Sequence, residues 1–130
     1  MTLTVPAATE NVITFGGYDN VTNAFYPKSG RGFTRENRIK PDLTAPAVNV
    51  YGPGISGGYT RRTGTSVACA LGAGACAQIL QWGIVEDNEP YMKNNYIKKL
   101  PYKRGRTKQR TLGIQVNNGD MEQLTYLTVF

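Results

Sequence analysis

A short segment near the middle of the chain has the residue types of a nucleophilic site. Residues 64–70, Gly-Thr-Ser-Val-Ala-Cys-Ala, place a Gly-Thr-Ser turn directly before a run of small residues that predicts a helix. Thr65 or Ser66 can cap such a helix, and the backbone N–H groups at its start then surround the Ser66 hydroxyl. A partly positive helix end beside a hydroxyl suits a nucleophile whose intermediate is an oxyanion. The alternative is a plain Ala-rich core helix in which the serine is only a cap.

The predicted helix continues to Trp82 and consists almost wholly of small residues. Neighbouring elements can approach such a helix closely on every side, so we expect it to be central and buried. Gly72 and Gly74 each cost about 1 kcal/mol of helix propensity relative to alanine, so close packing must justify both of them.

The sequence contains no histidine. It therefore lacks the commonest general base and the commonest metal ligand, and no Ser-His-Asp or Cys-His set can be completed within these residues. The Asp and Asn residues are scattered without a tight carboxylate cluster, so we expect neither a metal site nor a cofactor.

Cys69 and Cys76 are seven residues apart on the predicted helix. Their separation of roughly 10 Å along the axis is too large for a disulfide. Two free thiols favour a reducing, cytoplasmic compartment. Without a base, each cysteine is expected to be a small buried hydrophobic residue and not a catalytic thiol.

Length and charge bound the remaining possibilities. The 130 residues suffice for one small domain, and we expect no signal peptide and no membrane segment because no apolar run approaches the ~20 residues that a span needs. The net charge of +6 is uneven: residues 1–97 carry eight Lys and Arg against seven Asp and Glu, whereas residues 98–130 carry seven against two. The basic character therefore belongs to the C-terminal tail.

Hydrophobic pattern and turn residues predict the elements that surround the serine. They are a buried strand at 11–15 ended by Gly16 and Gly17, a surface loop at 18–33, a charged and solvated segment at 31–40, a two-proline turn at 40–46, a strand at 48–51, a Gly/Pro loop at 52–58, the serine helix, and a second helix at 91–99 that begins after residues 87–90.

Several motifs together resemble the C-terminal part of a subtilisin-like serine protease (subtilase). Residues 12–19, Val-Ile-Thr-Phe-Gly-Gly-Tyr-Asp, resemble the family's V-I-x-V-G-A-x-D strand. Residues 29–32, Ser-Gly-Arg-Gly, and 40–46, Lys-Pro-Asp-Leu-Thr-Ala-Pro, resemble S-x-x-G and K-P-D-x-x-A-P-G. Residues 64–68, Gly-Thr-Ser-Val-Ala, resemble G-T-S-M-A around the catalytic serine. The resemblance covers about residues 1–97.

This resemblance implies an α/β class and a partial subtilisin-like fold, the C-terminal part of a mostly parallel sheet with a central serine-bearing helix. It makes Ser66 the nucleophile and, through its own N–H, one oxyanion donor, supported by Gly64 and Thr65. In the family the triad Asp and His and the oxyanion Asn lie earlier in the chain, and none of the three is present here. We therefore expect a serine endopeptidase fragment, acting on peptide or protein substrates in the intact enzyme, that is inactive alone.

Two positions depart from the family pattern. Ala70 replaces the usual proline of G-T-S-M-A-x-P, which is a mild change because alanine is the better helix former. Ala47 replaces the glycine after A-P, which matters if the backbone needs a positive φ there.

Residues 100–130 do not resemble the family, whereas residues 1–99 form the predicted peptidase part. Codons permitted for 100–106 can encode the family's Y-L-I-R-G-A when shifted by one nucleotide. Codons permitted for 113–126 can encode Y-P-S-K-Q-W-G-Y-G-T-I-N-L when shifted by two. The hypothesis is that two insertions or deletions near residues 100 and 110 place this tail out of frame, which predicts a poorly ordered basic tail without a selected function.

Two further interpretations remain open. The chain could be a fragment that completes an active protease together with an upstream peptidase fragment. It could instead be a non-catalytic binding module whose basic tail contacts nucleic acid or a membrane surface. We expect no membrane partner, and we disfavour nucleic acid because a charge run is usually a solvated face.

Overall fold

The computed structural model describes residues 2–93, 95–98, 114–116 and 125–127. In chain order the elements are strands β1 (Phe15–Tyr18), β2 (Leu43–Pro46), β3 (Val50–Pro53) and β4 (Tyr59–Arg62), helix α1 (Thr65–Leu80), a π-helical turn (Gln81–Val85), and strands β5 (Ile114–Val116) and β6 (Thr125–Leu127). Residues 95–98 form a further helical segment. The predicted α/β class is confirmed.

The larger sheet contains four strands in the order β1-β2-β5-β6. β1 and β2 run parallel, in a register that pairs Phe15 with Leu43 and Tyr18 with Pro46. β5 pairs with the other side of β2 and with β6, and both of these pairings are antiparallel. β3 and β4 form a separate antiparallel hairpin that leads the chain into α1.

The first strand lies further along the chain than its sequence pattern predicts. The prediction placed it at 11–15 and ended it at the two glycines, whereas β1 contains Gly16 and Gly17. A Cβ atom at Gly16 would lie 2.8 Å from Cγ of Pro41, and one at Gly17 would lie 2.5 Å from Cβ of Ala47. The glycines therefore do not break the strand; they allow its neighbour to approach closely.

The segment predicted as a turn at 40–46 contains β2, and the strand predicted at 48–51 is β3, two residues later. β2 is short and its residues Leu43 and Ala45 are buried. A strand of four residues that includes a proline carries too little periodic signal to be distinguished from a turn by pattern alone.

A buried ion pair fixes the start of β2. Lys40 was predicted to be solvated, but its side chain is only 3% exposed. Its ammonium group donates to the carbonyl of Val12 at 2.7 Å and to the carboxylate of Asp42 at 2.6 Å. The same carboxylate accepts the backbone N–H of Thr14 at 2.7 Å and lies 3.4 Å from the Lys98 ammonium. This cluster joins the approach to β1, the start of β2 and the 95–98 segment.

Helix α1 packs against β1 and β2 through one narrow face. Its buried residues are Ala68, Gly72 and Ala75; Ala68 and Ala75 belong to one core cluster with Leu43 and Ala45, and Gly72 lies against the ring of Phe15. Small residues on both sides allow the helix axis to approach the sheet closely, so this contact forms the core of the described chain.

The start of α1 differs from the predicted cap. Neither Thr65 nor Ser66 caps the helix; the N-cap is Gly64, and no side-chain hydrogen bond is made there. Both residues already have helical geometry, so the Ser66 hydroxyl is not used to satisfy the helix end.

The other faces of α1 are uncovered in the described part of the molecule. Residues Ser66, Cys69, Ala70, Ala73, Gly74 and Ala77 are exposed. The predictions that the helix is buried on every side, and that Cys69 is a buried hydrophobic residue, are therefore wrong for the described residues. An apolar helix of this kind is normally covered all round.

The prediction that no apolar run approaches the length of a membrane span is wrong: the stretch Thr65–Val85 is long and apolar enough to cross a membrane, with a mean hydropathy of 1.4, judged by length and composition alone. Its contacts with β1 and β2 are those of a helix in the core of a domain.

The C-terminal predictions lie largely outside the described residues. The second helix, predicted at 91–99, is helical at 95–98; residues 91–93 are described and are not helical, so its predicted start at Tyr91 is wrong. Within 100–130 only β5 and β6 are described, and both are strands. The hypothesis of an out-of-frame, poorly ordered tail stays a prediction.

Candidate active site

Two hydrogen bonds, one between backbone groups and one from a backbone N–H to a side-chain hydroxyl, fix the loop that precedes the candidate nucleophile. The N–H of Gly64 donates to the carbonyl of Ala47 at 2.8 Å, just beyond the end of β2. The N–H of Asn49 donates to the hydroxyl of Thr63 at 2.9 Å. The turn at Gly64 is therefore held on the C-terminal end of the sheet, where ligands bind in open α/β folds.

Ser66 lies in the first turn of α1 and is exposed. Its hydroxyl faces back over the turn, because a Cβ atom at Gly64 would lie 3.2 Å from Oγ of Ser66. Glycine at position 64 thus leaves the space beside the hydroxyl open. The structure brings together the three predicted site residues Gly64, Thr65 and Ser66, and their catalytic role stays a prediction.

Backbone donors remain available beside this hydroxyl. The N–H groups of Val67 and Ala68 donate to the carbonyl of Gly64 at 3.1 and 3.4 Å. In the described part of the chain, no hydrogen bond is made by the N–H groups of Thr65 and Ser66. Two such donors at one helix end can stabilise negative charge on an oxygen.

The electrostatics of the helix start favour an anion. α1 has 16 residues and no acidic side chain in its first turn. Its N-terminal end therefore keeps the partial positive charge of the helix dipole, equivalent to about half an elementary charge. That charge stabilises an oxyanion formed next to Ser66 and does not by itself remove the proton of the hydroxyl.

No general base lies beside Ser66 among the residues that the structure describes. The sequence contains no histidine, and among the described residues Oγ of Ser66 has no hydrogen-bond partner. The same part of the chain contains no group of three or more Asp, Glu or Cys side chains that could hold a metal ion. An isolated serine hydroxyl is a weak nucleophile at neutral pH.

The two cysteines occupy different environments on α1. Both are free thiols; Cys69 is exposed one turn after Ser66, whereas Cys76 is half-buried. Burial raises the pKa of the Cys76 thiol, and the nearby Cys69 raises it further. A raised pKa keeps Cys76 protonated and unreactive at neutral pH.

The departure at Ala47 is accommodated without strain. Ala47 is fully buried and is not among the residues with positive φ. Its methyl group fills the space opposite Gly17, where a second Cβ would not fit. Glycine at 17 and alanine at 47 are therefore a complementary pair in this chain.

A cavity of about 240 Å³ lies next to the serine turn. Its walls come from five separated parts of the chain, and they are formed by Thr2, Leu3, Thr4, Ala7, Thr14, Phe15, Lys28, Gly30, Pro41 and Thr65. Sequence reasoning missed this cavity because its residues share no local motif. Only the fold brings the 2–4 segment against Gly30 and Thr65.

The sheet with the serine-bearing helix packed on it defines a protein of the α/β class. Comparison with known proteins identifies the family. The model of the Subtilase family matches residues 1–115. The chain is also similar to the Clostridium perfringens CspB protease, with 37% sequence identity, a TM-score of 0.74 and coverage of 84% of this chain.

This chain belongs to the subtilase family of peptidases. It spans about a quarter of the CspB protease, 24% of that chain. The predicted resemblance and the subtilisin-like fold are confirmed.

Proposed function

We propose that this chain is the nucleophile-bearing part of a subtilisin-like serine endopeptidase, with Ser66 as the nucleophile. Oγ of Ser66 attacks the carbonyl carbon of a peptide bond while a base accepts its proton. The C–N bond then breaks, the leaving amine takes up that proton, and water hydrolyses the acyl ester. The substrate class is therefore peptides or proteins.

One observation carries this proposal. The exposed Ser66 hydroxyl stands at the N-terminal end of a 16-residue helix, next to backbone N–H groups of Thr65 and Ser66 that no described group accepts. A helix end of this kind stabilises the oxyanion of a tetrahedral intermediate. Membership of the subtilase family supports the same assignment.

We propose further that the 130 residues do not hydrolyse peptides by themselves. Hydroxyl activation needs a base, and neither histidine nor any other described base contacts Ser66. The base and the remaining oxyanion donor would come from an upstream peptidase segment outside these residues. The similarity to 24% of the CspB protease supports this division, because the rest of that chain has no counterpart here.

The uncovered faces of α1 are consistent with such a partner. Most of its exposed residues are small, and Ser66 lies at the head of the same exposed stripe as Ala70 and Ala73. A segment that covers this stripe would also come close to the hydroxyl. Binding of one such segment would therefore both cover the exposed stripe of α1 and bring a base to the Ser66 hydroxyl.

The test is a complementation assay. The chain is mixed with the CspB protease from which the matching segment has been deleted, and cleavage of a fluorogenic casein substrate is measured. We expect activity from the mixture and none from either component. Ser66→Ala should lower it by about 10⁴-fold or more, whereas Ser56→Ala, at an exposed loop serine, should leave it unchanged. Cleavage by the 130 residues alone that Ser66→Ala abolishes would contradict the proposed dependence on a partner.

The alternative of a nucleic-acid-binding module has less support. Most of the basic residues on which it rests lie outside the described residues. Lys98, the described one, is already bound to the carbonyl of Glu10 at 2.7 Å and lies near Asp42. This alternative stays a prediction, and binding of the chain to DNA or RNA that weakens with salt would support it.

A further inference from the structure

We propose that the β3–β4 hairpin binds an extended acidic segment of a protein partner, which adds as a strand to the outer edge of β4. This inference goes beyond the proposed function and does not depend on it, because it uses no observation at Ser66. Three features of the hairpin support it in turn: an exposed aromatic face, unpaired backbone groups and positive charge without a partner.

One face of the hairpin is aromatic and exposed. Side chains alternate along a strand, so this face carries every second residue of each strand. Its members are Tyr51, Pro53, Tyr59 and Arg61, and all four are exposed. The rings of Tyr51 and Tyr59 stack with their centres 5.2 Å apart, yet these residues remain 67% and 68% exposed. Tyrosine and arginine are enriched among the residues that dominate protein interfaces, and rings already held in a stack lose little freedom on binding.

The backbone along the outer edge of β4 is unpaired in the described part of the chain. There, β3 and β4 pair only with each other. The N–H of Gly54 donates to the carbonyl of Gly58 at 3.0 Å, and hydrogen-bonded positions alternate along an antiparallel pair. The N–H and C=O groups of Tyr59 and Arg61 therefore point outward, away from β3. An edge of this kind is a template for a further strand.

The outer edge of β4 suits a further strand better than the outer edge of β3. The outward positions of β3 are Tyr51 and Pro53, and proline has no N–H to donate. β4 offers both donors and both acceptors. Antiparallel pairing is slightly more stable per residue than parallel pairing, so we assign that direction to the added strand. A partner residue opposite Arg61 then exchanges two hydrogen bonds with it and places its side chain on the aromatic face.

The charge of the hairpin favours an acidic partner. Residues 43–85 contain Arg61 and Arg62 and no other charged residue. Within the described residues, neither guanidinium forms an ion pair or a side-chain hydrogen bond. A carboxylate opposite Arg61 can accept two parallel hydrogen bonds from its guanidinium. A second copy of this chain docked hairpin to hairpin would instead bring like charges together.

A nucleic acid fits the hairpin less well than an acidic peptide does. Phosphates accept hydrogen bonds but do not donate them, so the outward carbonyl groups of Tyr59 and Arg61 would gain no partner. The rings of Tyr51 and Tyr59 also stack on each other, which leaves fewer ring faces for bases. An extended peptide supplies both backbone donors and backbone acceptors.

The experiment measures binding of a short peptide to the full chain. The probe is fluorescein-labelled Ser-Val-Thr-Glu-Thr-Val-Ser-amide, in which a valine lies two positions from the glutamate on either side and can contact Tyr59. Peptides with Gln or Lys in place of Glu are the matched ligands, and fluorescence anisotropy gives the dissociation constants. We expect the Glu peptide to bind at least about fivefold more tightly than the Gln peptide, and this preference to weaken with added salt.

Two N-methylated peptides test strand addition. A methyl group on the Glu nitrogen removes the N–H that faces Arg61 and should weaken binding about fivefold or more. A methyl group on the nitrogen of the preceding Thr, whose N–H points away from β4, should have a much smaller effect. In ¹⁵N-labelled protein, the Glu peptide should shift the amide signals of Tyr59 and Arg61.

Single substitutions identify the responsible side chains. Arg61→Gln should abolish the preference for Glu over Gln, and Arg61→Glu should reverse it in favour of the Lys peptide. Arg35→Gln, at an exposed arginine outside the hairpin, should leave the preference unchanged. Tyr59→Ala should weaken the Glu and Gln peptides by the same factor, about fivefold or more, whereas Tyr59→Phe keeps the stacked ring and should bind as the unmodified chain does.

The contrary results are equally specific. No binding of the Glu peptide, equal binding of the Glu and Gln peptides, or a preference that persists in Arg61→Gln would overturn the proposal. Equal losses from the two N-methyl groups would exclude strand addition. Tighter binding of oligothymidylate than of the Glu peptide, or dimerisation that Arg61→Glu strengthens, would assign the hairpin to a nucleic acid or to a second copy. None of these measurements requires cleavage, so their failure leaves the assignment of Ser66 unaffected.

Discussion

The aromatic ring of Phe15 occupies the space that a side chain at position 72 would need. Phe15 begins β1, Gly72 lies in the second turn of α1, and a Cβ atom at Gly72 would come within 2.5 Å of Cε1 of that ring. This contact sets how closely the serine helix lies on the sheet. The orientation of Ser66 relative to the sheet depends on it.

Gly72→Ala should therefore destabilise the fold. The added methyl group gains about 1 kcal/mol of helix propensity, but overpacking against a rigid ring costs about 1–3 kcal/mol and displaces the helix. We expect a lower free energy of unfolding in a urea titration followed by circular dichroism. Unchanged or increased stability would contradict the described packing of Phe15.

Gly74→Ala is the matched control. A Cβ atom at Gly74 would meet nothing within 4 Å, and the residue is exposed. The same substitution two residues later should stabilise the isolated chain by about 0.5–1 kcal/mol through helix propensity alone. Equal effects at positions 72 and 74 would mean that neither glycine is needed for packing.

These two glycines show what the sequence could and could not predict. The helix itself followed from the run of small residues, and the motifs at 64–68 predicted its serine. Close packing was predicted for both Gly72 and Gly74, whereas the fold assigns a packing role to Gly72 alone. All faces of a helix made of small residues are about equally apolar. Its hydrophobic periodicity therefore does not predict which face meets the sheet.

The buried ion pair between Lys40 and Asp42 predicts an asymmetry between two single substitutions. Asp42→Ala leaves the Lys40 ammonium buried without its carboxylate, which typically costs about 3–5 kcal/mol. Lys40→Met should cost less, because Asp42 keeps the Thr14 N–H and Lys98. Chemical denaturation of both variants measures the difference. A larger loss for Lys40→Met would contradict the account of this cluster.

The pattern of charged residues gave a wrong prediction for the Lys40–Asp42 cluster. Lys40 stands in a charged stretch, which predicts solvation, and its partners Val12 and Asp42 lie on different segments. Only the parallel pairing of β1 with β2 brings them together. The same limit applies to the cavity beside Thr65, whose walls come from distant parts of the chain.

The thiols should react at different rates. Cys69 is exposed, whereas burial raises the pKa of Cys76 and the neighbouring Cys69 raises it further. We expect iodoacetamide at pH 8.5 to alkylate Cys69 about tenfold or more faster than Cys76, as measured by peptide mass spectrometry. Cys69→Ser should speed the alkylation of Cys76, because it removes the neighbouring charge. Equal rates would contradict the burial of Cys76.

The same pKa shift links stability to alkaline pH. The folded state holds the Cys76 proton more tightly than the unfolded chain, so the free energy of unfolding should fall as pH rises through the ordinary thiol range. Cys76→Ala should flatten this dependence, and Cys69→Ala should flatten it less. Urea titrations at several pH values provide the measurement, and a rise in stability with pH would contradict the shift.

A side chain at position 64 should both strain the backbone and hinder Ser66, because Gly64 has a φ of 157°, which residues with a side chain rarely adopt. The added Cβ of Gly64→Ala would lie 3.2 Å from Oγ of Ser66, on the open side of the hydroxyl. We expect the complemented activity to fall by about tenfold or more, because small displacements of reacting groups are costly. Thermal melts should show a lower midpoint as well, because holding alanine at this φ costs about 1–3 kcal/mol. Full activity in Gly64→Ala would argue against the described position of the hydroxyl.

The most direct test of the central claim is covalent labelling of the serine. A fluorophosphonate reacts only with a serine that has been activated by a base, and mass spectrometry locates the adduct. We predict that this chain is labelled at Ser66 when it is mixed with the CspB protease that lacks the matching segment. The chain alone should remain unlabelled. An adduct on any other residue, or equal labelling of Ser66 with and without that partner, would contradict the account.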